Sequence, residues 1–243
     1  MSSDYKRIFE QRGLTYNAAM QAFPRARDAE FAMLFDSINT ASVSIAADVP
    51  SGGGYLQPHL PKKVTVDAFE PCDEFKTHQH GSPIDLENLS LEANRYDLVV
   101  SLAALHRVSN KQLFMQRCYE GLKPFGYLCI ADVPANHSIG RFLDDFAGLH
   151  NGTGHSGDYL RVDQTELQAR NQGFTVINSQ VKYCPWVFAN QDDMLTFCRG
   201  LFSLSNVDQQ MLLEALDHYV GISTYADKVI LNWELLYLSL QKN

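Results

Sequence analysis

The stretch Asp48-Val-Pro-Ser-Gly-Gly-Gly54 places a carboxylate just ahead of three consecutive glycines. The apolar run Val43-Ser-Ile-Ala-Ala47 leads into it and reads as a strand, so the glycines fall in a strand-to-helix turn. Bare backbone there tolerates positive φ and lets a ligand lie close against it. A dinucleotide turn wants G-x-G-x-x-G directly after the strand. Here an acid comes first and the small residues fall as D-x-P-x-G-x-G. A carboxylate at a strand tip repels a pyrophosphate and attracts a cationic ligand. A second acid, Glu70, closes the run Val64-Thr-Val-Asp-Ala-Phe69, 22 residues after Asp48. That is the length of one βαβ unit, and an acid there accepts from both hydroxyls of a ribose. The turn Glu87-Asn88-Leu89 precedes a further apolar run. Its side chain and backbone N–H suit the edge of an adenine. For proton transfer the candidates are His106, just after the run Asp97-Leu-Val-Val-Ser101, and His155, in the glycine-punctuated stretch 149–158 that also holds His150.

These groups need a scaffold that brings strand ends together. Short runs apolar on both faces recur at 43–47, 64–69, 97–101 and 127–131, separated by helical stretches of which 111–122 is the clearest. Alternation of that kind predicts a doubly wound α/β fold whose parallel sheet is buried on both sides. The first forty residues read as helix, with apolar positions near a 3.6 period over 27–38. In the second half, residues 136–158 read as a polar loop able to gate a site, 162–171 as a helix stopped by Gly173, and 174–181 as a strand. Residues 192–221 read as two helices and 228–240 as a last strand. The helix pair is expected as an insertion above the sheet's functional edge, with a plain surface pair as the alternative. Trp186, Phe188, Phe197 and Phe202 are candidates for an apolar pocket wall or for the core.

The chain has 243 residues, 45% of them apolar, which suits a single α/β domain spanning 1–243. Its divisions are N-terminal helices over 1–40, a ligand-binding half over 41–135 and a substrate-side half over 136–243. A net charge of −8 argues against duplex binding, which needs clustered Lys and Arg. No 18-residue apolar run predicts a membrane helix, and the N-terminal segment lacks the apolar core of a signal peptide. Five dispersed cysteines without a C-x-x-C pair suit reduced thiols and no metal site. A cytoplasmic protein, monomer or homodimer, acting on a small molecule and binding neither nucleic acid nor membrane, is the expectation.

Four segments in order sharpen this: Asp48-Val-Pro-Ser-Gly-Gly-Gly54, Phe69-Glu-Pro71, Tyr96-Asp-Leu-Val-Val-Ser101 with Ala104-Leu-His106, and Leu122-Lys-Pro-Phe-Gly126. Together they resemble the class I S-adenosylmethionine-dependent methyltransferases, in particular the type 11-like small-molecule branch. The family reads "D-x-G-x-G-x-G", "vEP", "FDLVVS…ALHH" and "LKPGG" at these places; Pro50 and Phe125 depart from it where glycine is usual. The resemblance implies a Rossmann-like seven-stranded sheet, mostly parallel with an antiparallel last strand, and a helical cap near 192–221. It implies S-adenosylmethionine as cofactor, held by Asp48, Pro50, Gly52, Gly54, Glu70, Asn88, Leu89 and Ser101, with Tyr16 closing over it. O-methylation of a small acceptor is the favoured activity, with His106 and His155 as candidate bases and no metal. A nicotinamide-dependent Rossmann oxidoreductase and a non-catalytic methyltransferase-like binding module are the alternatives.

Overall fold

A computed structural model describes residues 4–75 and 84–243. Four parallel strands form one side of its main sheet: β1 (Ile45–Asp48), β2 (Thr65–Ala68), β3 (Tyr96–Leu102) and β4 (Leu122–Asp132). The other side holds β5 (Phe174–Tyr183) and β9 (Glu234–Lys242), and the order across the sheet is β2-β1-β3-β4-β9-β5. β9 runs antiparallel to both of its neighbours, so the last strand is the reversed one, as expected. Six strands form this sheet among the described residues, where seven were expected. After β2 the chain goes instead into single 3₁₀ turns at Asp73–Phe75 and Leu86–Asn88, and residues 76–83 lie outside the described part.

Alternation along the strands explains the two-sided burial. Ala46, Leu98, Val100, Cys129 and Ala131 point into one core, and Ala47, Val99, Leu128 and Ile130 into the other. The first core is the larger because α1 (Asp4–Ala22), α7 (Gln191–Leu201) and α8 (Gln209–Tyr219) pack over it. Helix starts are set by side-chain caps: Asn110 accepts from Leu113 N–H at 2.9 Å for α3 (Lys111–Gly121), and Asn190 and Asp208 do the same for α7 and α8. Gly173, at φ +96°, stops α6 (Val162–Asn171) as expected.

Three elements differ from the sequence reading. The expected helix over 27–38 is α2 (Asp28–Met33), after which the N–H groups of Leu34, Phe35 and Ile38 reach back only three residues, in tight turns. The expected loop 136–158 begins as helix, α4 (Ser138–Arg141) running through a π-helical turn at Phe142–Ala147 into α5 (Gly148–His150). Its glycines and histidines concealed buried Ile139, Phe142, Leu143, Phe146 and Ala147, which recur at helical spacing. The expected strand 228–240 is two: β8 (Val229–Leu231) pairs with β6 (Trp186–Phe188) and β7 (Ile222–Thr224) in a small second sheet, and β9 begins after Trp233.

Phe125, which stands where the resemblance expects glycine, sits at φ +65° with 72% of its surface exposed. The left-handed region penalises a Cβ, and the exposed ring buries little in return. Phe125→Gly is therefore expected to raise unfolding stability by about 0.5–1 kcal/mol in urea titration, part of the relief being lost to the greater freedom of glycine in the unfolded chain.

Candidate active site

A cavity opens at the carboxyl ends of β1, β3 and β4, which open parallel sheets use for ligands. The turn after β1 forms its floor. Val49 N–H donates to Val100 O at 2.9 Å and Ser51 N–H to Phe69 O at 2.8 Å, so strands on both sides hold the turn. Gly52 has φ +53° and Gly54 φ +78°. A Cβ at Gly52 would meet nothing within 4 Å, whereas one at Gly53 would fall on Asn17 Oδ1 and the Tyr55 ring. Gly52 thus offers bare backbone to the cavity, while Gly53 lets α1 approach the turn.

Asp48, Pro50, Gly52, Tyr16, His106 and His155 all line this cavity. Asp48 is buried without a side-chain hydrogen bond among the described residues, and desolvation pushes its carboxyl up to about 8. Glu70 lies directly behind the wall: Oε2 accepts from Gly52 N–H at 2.8 Å and from the Tyr5 hydroxyl at 3.3 Å, and Oε1 from Cys72 N–H at 2.9 Å. Burial raises it to about 8 against the pull of these donors. Gly54, Ser101, Asn88 and Leu89 are not on the cavity wall. Asn88 is exposed and donates to Asp85 at 3.0 Å, Leu89 is core, and the Ser101 hydroxyl is buried without a partner behind Leu102 and Ala103. Trp186 and Phe202 line the cavity, whereas Phe188 and Phe197 belong to the core beyond.

The histidines occupy a different wall. Asp132, the fully buried last residue of β4, accepts from His106 Nδ1 at 2.6 Å through Oδ1 and from the His106 backbone N–H at 2.9 Å through Oδ2. Burial opposes ionisation of Asp132, but His106 and the amides of His106 and Val133 outweigh it and hold the carboxyl below its ordinary range. With Nδ1–H committed to a carboxylate, the neutral ring has its lone pair on Nε2. His106 stacks on His155 at 5.5 Å between ring centres. His155 Nδ1 bonds Asp144 Oδ1 at 2.7 Å, and that oxygen also accepts from the Tyr159 hydroxyl at 2.7 Å. Burial, reinforced by Arg107 and His106, draws His155 down to about 3, so it is neutral at physiological pH.

Several functional-looking groups escaped the sequence reading. Asp132 had a usable signal, an acid closing a strand as Asp48 does. Arg12, Arg27, Glu30 and Arg107 also line the cavity and carried none, since each sits in a helical or turn segment that reads as surface. Glu30 and Arg27 form a buried ion pair, and Trp186 Nε1 donates to Glu30 at 2.7 Å.

Residues 47–179, more than half of the chain, match the sequence model of a methyltransferase domain. The chain belongs to the methyltransferase domain family. S-adenosylmethionine is the methyl donor of the class I fold that this methyltransferase carries, and its Rossmann-like neighbours agree. A Bacillus halodurans protein described as a putative methyltransferase is 17% identical with a TM-score of 0.57, covering 88% of this chain and 98% of that one. A Thermotoga maritima protein described as a possible histamine N-methyltransferase is 13% identical with a TM-score of 0.63, covering 98% and 99%. The [4+2]-cyclase SpnF, at 12% identity and TM-score 0.63, covers 99% of this chain and 96% of its own. No curated protein matches the sequence. No helix among the described residues is long and apolar enough to cross a membrane.

The methyltransferase's own residues fit its donor. A buried, unpartnered carboxylate at Asp48 suits a cation, the Gly52 backbone has the open space a ligand needs, and the aromatic rings of Tyr5, Phe9, Tyr16 and Phe75 give an apolar wall beside them.

Proposed function

We propose that this methyltransferase acts on oxygen of a small acceptor, with His106 as general base and Asp132 as the residue that orients it. The observation that carries this reading is the 2.6 Å His106–Asp132 pair set into an aromatic cavity beside the glycine turn. A hydroxyl is a poor nucleophile until its proton leaves, whereas a neutral amine needs no base to attack. An oriented imidazole with a free Nε2 is therefore worth building for an alcohol or phenol. One neighbour of the same fold is a cyclase, so the site, and not the fold, has to argue the reaction.

In this reading Asp48 balances the donor's positive charge and Gly52 accommodates its backbone approach. Glu70 holds the ribose, giving up the long bond from Tyr5 to do so. Bound S-adenosylmethionine supplies an electrophilic methyl group on a sulfonium, so the protein has to supply alignment and a dry site. Trp186, Phe202 and Trp233, stacked on one another with Trp186 and Trp233 4.2 Å apart, hold the acceptor's apolar body and exclude water. His106 Nε2 takes the acceptor's proton, and Asp132 stabilises the resulting imidazolium. His155, neutral and stacked on His106, adds no competing charge to that step. The test is product mass from the purified protein with S-adenosylmethionine and matched phenol and aniline acceptors. A gain of one methyl on the phenols is expected; transfer to the anilines alone would overturn the oxygen assignment.

A further inference from the structure

Methyl transfer as described leaves one buried charge in the cavity unused. Arg12 is 5% exposed and lines the cavity, yet no acidic side chain pairs with it among the described residues. Among the described residues its side chain makes one hydrogen bond, from Nη2 to the Leu201 carbonyl at 3.4 Å; the guanidinium lies over the Phe9 ring at 5.8 Å, and Nε has no partner. The other two cavity arginines are accounted for: Arg27 by Glu30, and Arg107 by Asp4 at 3.0 Å. Desolvation and the like charge of Arg107 draw Arg12 down to about 10, which still leaves it charged at neutral pH. An ionised guanidinium kept out of water without a counter-charge is costly, and such groups persist where a ligand completes them. The planar fork matches a carboxylate in two parallel hydrogen bonds.

We propose that Arg12 is the carboxylate-binding residue of the cavity and that the methyl acceptor is an aromatic hydroxy acid whose carboxylate seats against it. The inference rests on the methyl-transfer reading above and narrows its substrate class. Arg12 reaches Leu201, the last residue of α7, on the cap side of the cavity, while its guanidinium also lies over the Phe9 ring at 5.8 Å, so it stands where the cap meets the donor wall. The rings that line the same cavity favour a planar acceptor, and His106, which also lines it, favours a hydroxyl on that acceptor. The donor also carries a carboxylate, so the same chemistry has two sources, which binding measurements separate.

The test is calorimetry on the full chain with S-adenosylhomocysteine, followed by 4-hydroxybenzoate or phenol titrated into that complex. The acid is expected to bind about 10- to 100-fold more tightly than phenol, as a charge-assisted bidentate pair implies. Arg12→Gln is expected to erase that preference while S-adenosylhomocysteine affinity stays within about threefold. Arg12→Lys, a point charge without the fork, retains part of it. A purely structural arginine would show itself differently: its removal would lower Tm, whereas losing a charge that lacks a partner leaves Tm unchanged or raises it. Equal binding of acid and phenol by the wild type, a preference that survives Arg12→Gln, or a fall of several degrees in Tm overturns the proposal. So does a loss of S-adenosylhomocysteine affinity in Arg12→Gln, because the carboxylate would then be the donor's own. A wild type that binds no S-adenosylhomocysteine would instead sink the methyl-transfer reading.

Discussion

Asp132→Asn is expected to lower kcat by about 10²- to 10⁴-fold with little change in donor affinity, because it removes the group that fixes the tautomer of the proposed base. Every lone pair of Asp132 used in the fold faces a donor: His106 Nδ1 and Val133 N–H at Oδ1, and His106 N–H at Oδ2. An amide must aim its NH₂ at one of them. If it faces His106 Nδ1, the ring proton moves to Nε2 and the base is lost; if it faces a backbone N–H, two donors collide. Either arrangement leaves an unmet buried donor, so a loss of about 1–3 kcal/mol in stability accompanies the kinetic loss. His106→Gln cannot accept a proton in any tautomer and is expected to match the kinetic loss without the donor collision. The pair acts as a unit, so the double variant should lose little more than either single one. Turnover close to wild type in His106→Gln, or losses that multiply in the double variant, would remove the dyad from the mechanism. Donor binding by both variants confirms that the cavity is intact when the rates are compared.

The part of this architecture that the sequence makes legible is the part repeated by strand periodicity. Apolar runs at 43–47, 97–101 and 127–131 become strands inside the sheet, where two-sided burial leaves no polar face to disguise them, and the run at 64–69 becomes the edge strand β2. Strand tips follow from strands, and so Asp48, Gly52 and His106 come together as their positions suggest. What stays hidden is supplied by tertiary packing. Arg12 and Glu30 read as solvated helix positions because nothing local reveals that α1 lies across the cavity or that Trp186 reaches Glu30 from 156 residues away. Asn88 fits the spacing of an adenine contact, yet its amide is turned to Asp85, a neighbour that the sequence places three residues off. The helix over 138–150 is concealed for the opposite reason. Gly140 and Gly148 lower its propensity, and burial of Phe142 and Phe146 overrides that local preference. Phe125 shows a further limit, since only the fold reveals that the turn keeps the glycine's positive φ after losing the glycine.

The buried acid proposed for the donor site should also make the empty protein less stable than it could be. Asp48 has a folded-state value of about 8 against an ordinary 3.8, raised by burial. Between those two pH values the unfolded chain has released its proton and the folded one has kept it. Stability is therefore greatest below the ordinary value, declines as pH rises toward about 8, and levels off above it. At pH 7.5 the accumulated cost is on the order of 5 kcal/mol. Asp48→Asn keeps the shape and removes the ionisation, so its Tm without ligand is expected to exceed that of the wild type by about 10 °C at pH 7.5. The gap should shrink as pH is lowered toward 5. Donor binding moves the other way. A cation beside Asp48 favours the ionised form, so the wild type should release close to one proton more than Asp48→Asn per S-adenosylmethionine bound near pH 7, read as a buffer-dependent binding enthalpy. The variant has no such proton to release and should bind about 10- to 100-fold more weakly. A loss shared by S-adenosylhomocysteine points to the ammonium as the cation that Asp48 meets, and a loss confined to S-adenosylmethionine points to the sulfonium. Undiminished affinity together with an unchanged Tm would mean that Asp48 holds neither, and that the carboxylate ahead of the three glycines serves the turn alone.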